Sequence, residues 1–335
     1  MIRKTQTLAV TLLLVGLYCR PGWGQATPPA ILQIDVEDLV QYFSDTSDPS
    51  KFATDPNVTT PVLPKNFNAA LVIADIVAVN GQPAKGTMTR EGRTVFFNTA
   101  PTPGQAIADT VRNALVAVTF EILKSDGTPV GTIVAYGFSG GSPPPGAPLA
   151  ATANSWAITG GMGSFFGARG QASRVSTSIA ERPASITEDP ANRRRNRGGA
   201  QRWLFQVIPM SVPQIATTAG GPAVTHSSDF TLVTASKPAA AGEILSAFVT
   251  GLGPTRPGVD PGKPFPTSPL AAVNSPVEVL VNGRAAEVLA AVGYPGSVDG
   301  YQVNFRVPSE TAKGTATVQV GAAWIAGPEV RITIQ

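Results

Sequence analysis

Between Ser155 and Ser178 the chain reads Ser-Trp-Ala-Ile-Thr-Gly-Gly-Met-Gly-Ser-Phe-Phe-Gly-Ala-Arg-Gly-Gln-Ala-Ser-Arg-Val-Ser-Thr-Ser. Runs of strand character flank Gly160, Gly161 and Gly163, and a second pair, Gly167 and Gly170, brackets Ala168 and Arg169. Glycine at this density inside a strand pattern marks a bulge, a sharp bend or a close approach of two backbones, each of which a Cβ would block. A small barrel that closes on itself needs such bends to turn its corners.

The rest of the N-terminal half reads as further strands. Strands are predicted over Ile31–Phe43, with a short helix at Val36–Phe43 as the alternative, and over Ala70–Val79, Gly86–Phe97, Ala114–Leu123, Val130–Phe138 and Trp203–Ile208. Asn80-Gly81 and Ser125-Asp126-Gly127 are hairpin turns, since both supply residues that tolerate a positive φ. A charged turn is expected at Arg90-Glu91-Gly92-Arg93. Residues 44–67 and 179–200 are polar loops, and the run Arg193–Arg197 is expected to be solvated and mobile. Pro213 to Pro222, small and polar, is expected to be a linker. Beyond it lie seven short strand candidates: Phe230–Thr234, Glu243–Thr250, Val277–Val281, Ala286–Val292, Gln302–Val307, Thr315–Val320 and Val330–Ile334. Asn282-Gly283 is a hairpin signal between two of them, and the spacing is that of an immunoglobulin-like sandwich. The expected architecture is all-β: seven or eight strands over 27–212 in the pattern of a barrel or a sandwich, a linker over 213–222 and a sandwich over 223–335.

The first 26 residues read as a secretory signal, with basic Arg3 and Lys4, an apolar core over Leu8–Tyr18 and a small-x-small site at Gly24-Gln25-Ala26. The segment holds three of the 25 basic residues and none of the 22 acidic ones, so the chain after it is neutral at 22 against 22. The basic balance is thus partly a targeting feature, and nucleic acid is not an expected partner. The one cysteine, Cys19, leaves with the signal, so no disulfide is expected in the exported protein. No second apolar run is long enough to span a bilayer as a helix.

Catalytic motifs are few. Gly137-Phe138-Ser139-Gly140-Gly141 spells a nucleophile elbow, but Pro143-Pro144-Pro145 follows where the supporting helix would begin. Phe166 stands where a dinucleotide fingerprint needs its third glycine. A single histidine, His226, and no remaining cysteine leave no zinc, copper or haem ligand set, and Asp45, Asp48 and Asp55 lack a calcium-loop pattern. No cofactor and no metal are expected.

The stretch from Gly160 to Gly170 resembles the Gly-Gly-x-Gly-x-Phe-x-x-Ala-Arg-Gly signature of dirigent proteins, secreted eight-stranded barrels related to allene oxide cyclases, and so implies an eight-stranded dirigent-like barrel over 27–212. That resemblance implies a pocket inside the barrel for a small hydrophobic or phenolic compound, with Arg169 matching the family's arginine. Asp35 and Asp75 are the candidate pocket acids. Asp75 stands in the apolar run Ile73-Ala74-Asp75-Ile76, where an inward carboxyl would need a partner. Phe165 and Phe97 are the candidate lining aromatics. The second half resembles the Solibacter-type C-terminal domain, similar to the IPT/TIG immunoglobulin fold and carried by many secreted bacterial proteins. The resemblance rests on Gly242-Glu243-Ile244-Leu245, Thr250-Gly251-Leu252-Gly253-Pro254-Thr255, Val281-Asn282-Gly283, Tyr301-Gln302-Val303-Asn304 and Val307-Pro308. Three functions follow as expectations: a barrel that binds a small hydrophobic or aromatic compound, a structural or adhesive surface protein that touches the cell envelope or extracellular matrix, and a cofactor-free cyclase.

Overall fold

The structure is a computed structural model that describes residues 29–45, 67–95, 113–138, 151–175, 179–185 and 188–335. The signal segment, Phe96, Phe97, Asp48, Asp55, Ser139 and the triple proline at 143–145 lie outside the described residues.

The chain is all-β. Its N-terminal half contains β1 (Ala30–Asp45), β2 (Phe67–Val79), β3 (Gln82–Val95), β4 (Asn113–Lys124), β5 (Pro129–Phe138), β6 (Ala151–Gly163), β7 (Arg169–Val175), β8 (Arg182–Ser185) and β9 (Gly199–Ile208). Eight of them close an antiparallel barrel in the order β2-β3-β4-β5-β6-β7-β9-β1, with β1 returning to β2. The ninth, β8, runs parallel to the far half of β1, pairing Val40 with Arg182 and Phe43 with Ser185. Asn80-Gly81 turns β2 into β3 with φ of 49° and 75°, as its residue types predict.

The period of two along each strand sends one set of side chains to the axis. Ile34, Ala74, Met88, Val118, Phe120, Ile133, Trp203 and Phe205 are 0% exposed, so no water-sized space adjoins them. Trp203 meets Trp156 at 5.0 Å between ring centroids and Phe120 edge-on at 5.1 Å, and Phe120 meets Phe205 at 4.8 Å. Edge-on and tilted pairs of this kind add about 0.5–1.5 kcal/mol each beyond the area they bury. The opposite set, including Lys85, Glu91, Glu121 and Arg202, faces outward and is exposed. An apolar inside with a charged outside is the reverse of a membrane-spanning barrel. No helix among the described residues is long and apolar enough to cross a membrane.

Two expectations change on the barrel wall. The charged turn expected at Arg90–Arg93 is absent, and β3 runs unbroken through it, pairing Arg90 with Val72 and Val118. Arg90 shares the inward side with Met88 and finds a carboxylate there, which removes the reason to turn. The run at Arg193–Arg197 is likewise not a free loop. Pro190–Asn192 and Arg193–Asn196 form a 3-10 turn and a helical turn, and Arg193 is 8% exposed. A bulge in β1 around Asp38 (φ 48°) shifts the register so that Val40 and Tyr42 fall on the outer side. Both are nonetheless buried, and Glu188, Arg182 and Arg193 lie close to the Tyr42 hydroxyl, whose pKa rises chiefly through desolvation.

The second half is a curled sheet. Its main path runs from Gln214–Ile215 through Ile244–Thr250, Gly300–Arg306, Arg284–Gly293, Val277–Val281 and Gly314–Ala322 to Ile325–Ala326. Val224–His226 pairs with Ile244–Thr250, and Val330–Ile334 with Gly314–Ala322. Leu245, Val279, Val303, Phe305 and Val318 are 0% exposed within the curl. Asn282-Gly283 makes the predicted hairpin, with φ of 50° and 73°. Phe230–Thr234 is not a strand. It folds back through Phe230 (φ 56°) to a single bridge between Leu232 and Thr225. Residues 213–222, expected as a linker, are drawn into pairing: Gln214-Ile215 with Val249-Thr250, and Thr217-Thr218 with Gly221-Pro222.

The halves share a core. The hairpin tip after Gly314–Ala322 carries Ala323 and Ile325 into the barrel's apolar cluster, at 1% and 3% exposure, with Trp324 packed against it. Ser164, in the turn between β6 and β7, hydrogen-bonds Ser275 at 2.5 Å.

Candidate functional site

The residues read as a pocket set are not brought together. Arg169 is exposed at the start of β7, where its guanidinium donates to the carbonyls of Ala168 (3.0 Å), Thr159 (3.1 Å) and Gly167 (3.4 Å). It ties down the glycine turn rather than facing the axis. Asp35 alternates with inward Ile34 and Val36, so it lies on the outer wall, where it accepts two hydrogen bonds from Arg202 at 2.6 and 3.1 Å. Asp75 lies outside Ala74 and Ile76 and is gripped by Arg193 and, at 2.5 and 2.8 Å, by Arg194. Phe165 is 1% exposed and belongs to the barrel core. The described residues therefore hold no inward acid beside Arg169 of the kind cofactor-free ring closure would need.

A different set does converge. Arg90, Arg174 and Gln201 occupy inward positions, two residues along from Met88, Ala172 and Trp203 respectively. Glu181, just before β8, meets all three. Arg90 binds it with both terminal nitrogens at 2.8 and 2.7 Å, Arg174 donates at 2.9 Å, and Gln201 Nε2 donates at 3.1 Å. The side chains of Arg90, Glu181 and Arg174 are 13%, 14% and 24% exposed. Burial by itself would raise the Glu181 pKa, but the hydrogen bond and charge of Arg90, with Arg174 and Gln201, outweigh it and hold the carboxyl below its usual range. Desolvation lowers the Arg174 pKa against the attraction of Glu181. Two guanidinium groups face one carboxylate, so the cluster has a surplus of positive charge and of donors. The Gln201 Oε1 and, elsewhere in the barrel core, the indole N–H groups of Trp156 and Trp203 have no partner among the described residues. A carboxylate held ionised in this way is a poor proton carrier near neutrality, and the cluster serves to anchor the segment before β8 over the strands.

The sequence carried a signal for this set. Arg90 and Arg174 keep the strand period of their apolar neighbours, which marks an inward charge in need of a partner. The shared partner is not readable from Arg90, because Glu181 stands 91 positions away, although it lies only seven positions after Arg174.

A second feature lies where the halves meet. A cleft of about 520 Å³ opens between the Asn80–Gln82 turn of the barrel and the outer face of the second sheet, with Trp324 and Glu278 on its wall. His226 is buried and takes no part in either feature. Its Nδ1 lies 2.5 Å from Glu243 and its Nε2 3.3 Å from the Lys237 carbonyl, which clamps a loop. Among the described residues no three His, Cys, Asp or Glu side chains come together as metal ligands. Compared with family models, curated proteins and solved structures, the chain matches none of them.

Proposed function

We propose that this chain is an exported, non-catalytic surface or matrix protein, in which a dirigent-like barrel acts as a rigid body joined to an immunoglobulin-like module. The observation that carries this reading is the filling of the barrel axis by Trp203, Trp156, Phe120 and Phe205, none more than 2% exposed. A ligand-holding barrel keeps a cavity of roughly 300 Å³ or more. The reading of the first 26 residues supports export. The immunoglobulin-like assignment is supported by the way Arg284–Gly293, bulged between Val288 and Ala290, links the two halves of the second sheet around one core. The neutral balance after the signal and the exposed outward charges fit a protein that works in an aqueous envelope or matrix.

A second reading keeps the barrel as the holder of a small phenolic or carboxylic compound. It is favoured by the buried indole N–H groups of Trp156 and Trp203, which have no partner among the described residues and would suit an anionic oxygen. Melting curves of the exported protein with phenols and fatty acids separate the two. The structural reading expects no shift, whereas a ligand at a hundred times its Kd would stabilise by about 2.7 kcal/mol. Phe120→Ala is the positive control, because it opens an apolar cavity that benzene can fill. A shift with any of these compounds that the native protein shows and Trp324→Ala, on the wall of the separate cleft, retains overturns the first reading in favour of the second. Sedimentation with cell-envelope and matrix fractions is the companion measurement, and the surface reading expects the protein in the pellet.

A further inference from the structure

We propose that the cleft between the barrel and the second sheet binds a neutral saccharide chain, with Trp324 as the stacking platform. At about 520 Å³ the cleft lies within the usual range for small-ligand sites. Its chemistry narrows the occupant. Among the described residues on its wall the only charged side chain is Glu278, and no lysine or arginine lines it, so phosphate, sulfate and carboxylate ligands find no counter-charge. Asn80, Gln82 and Gln319 line it beside apolar Leu280, Val288 and Ile325, so the wall offers side-chain amides and apolar surface together. Sugar hydroxyls both donate and accept, as side-chain amides do, while a carboxylate accepts from two neighbouring hydroxyls. The C–H faces of a sugar ring match the flat apolar surface of an indole.

Two of the amides are already fixed in place. Asn80 Oδ1 accepts from the Gln33 amide at 2.7 Å, and Gln319 Nε2 donates to the Gly327 carbonyl at 2.8 Å. Each keeps its other polar atom. The side chains of Gln82 and Glu278 make no hydrogen bond or ion pair among the described residues.

The platform is held by a strained turn. Ala323 (φ 51°) and Trp324 (φ 62°) form the tip of their hairpin in the left-handed region. That conformation is unfavourable for an L-residue, because the Cβ comes too close to the following carbonyl oxygen. The same chain uses Asn-Gly at two other hairpin tips, 80–81 and 282–283, where the strain is small. Keeping Ala-Trp here places Trp324 against the barrel core and on the cleft wall together. A side chain locked by packing on one side loses little entropy when a ligand covers the other. Persistent strain of this kind is typical of ligand clamps.

This assignment rests on the adhesive reading above and gives it a target. The test is calorimetric titration of the exported full-length protein with cellohexaose and with chitohexaose. It is repeated on Trp324→Ala and on the double variant Glu278→Ala/Gln82→Ala, whose side chains lie outside both cores, with folding checked by melting. Saturable binding of either sugar is expected, weakened at least tenfold in both variants. No binding of either sugar, or binding that both folded variants retain, overturns the assignment. So does binding of laurate in place of sugar, lost in the same variants. Pelleting with intact envelope and matrix separates the two levels. Adherence that both variants keep rejects the cleft and leaves the adhesive reading standing, whereas no adherence by the native protein rejects the adhesive reading itself.

Discussion

Glu181 shows how one residue's partners set its contribution. Its carboxylate pairs with both Arg90 and Arg174 on the inner side of the barrel wall and offsets one of their two charges. Replacing it with glutamine keeps the shape and removes the charge, which leaves two part-buried guanidinium groups facing each other. Breaking a buried pair costs about 3–5 kcal/mol, and partial exposure reduces this to about 2–4 kcal/mol for Glu181→Gln, measured by urea unfolding at pH 7. The folded pKa of Glu181 lies below its ordinary value of about 4.3. Its contribution is therefore complete above that value and is lost as pH falls through the lower, folded value. The stability gap between native protein and Glu181→Gln should narrow on going from pH 7 to pH 3. A gap that stays constant would mean that the carboxylate is not coupled to the arginines.

At the scale of elements, the glycines of the β6–β7 turn divide by what surrounds them. Gly170 has φ 129°, and a Cβ there would overlap the Gln206 carbonyl of β9. The two backbones meet as closely as the pairing of β7 with β9 requires. Gly160 sits in the same signature with ordinary backbone, and a methyl group placed on it would meet nothing within 4 Å among the described residues. Gly170→Val should cost about 3 kcal/mol or more through clash and strain together, a severity reserved for such mechanisms. Gly160→Ala should fall within about 0.5 kcal/mol of the native protein. Thermal melts of the two variants side by side check this, and equal effects would show that the barrel corner does not depend on the β7–β9 approach.

For the whole molecule, the junction decides whether the halves behave as one. Ala323 and Ile325 complete the barrel's apolar cluster from the second sheet, and Ser164 bonds to Ser275 across the boundary. Ile325→Asp would place an unpaired charge among these side chains, which is strongly unfavourable. Calorimetry should show one unfolding transition for the native protein and two for Ile325→Asp, with the barrel melting earlier. A single unchanged transition would show that the halves are not coupled through this tip.

Local rules carried much of this protein. Period-two alternation and Asn-Gly pairs depend only on neighbouring residues, so β1, β2, β4, β5 and the hairpins at 80–81 and 282–283 were legible from the chain. The glycine cluster announced tight approaches at the β6–β7 corner, and the closed barrel followed from it. Charges were misread where their role depended on which face they took. Arg90 looked like part of a turn, Arg193 like part of a loop, and Asp35 and Asp75 like pocket acids. Closure decided otherwise: once β1 pairs with both β2 and β9, each residue's side of the wall is set by register. Ring closure also brings Glu181 to Arg90, and the second sheet brings the Ala323–Ile325 tip to the barrel's apolar cluster, contacts between distant positions that no local pattern encodes. The sequence by itself thus determined the strands, their turns and their apolar sides. Only the tertiary structure decided that the axis is filled, which charges are paired across it and that a cleft opens beside Trp324, because those outcomes depend on strands that meet only when the sheet closes.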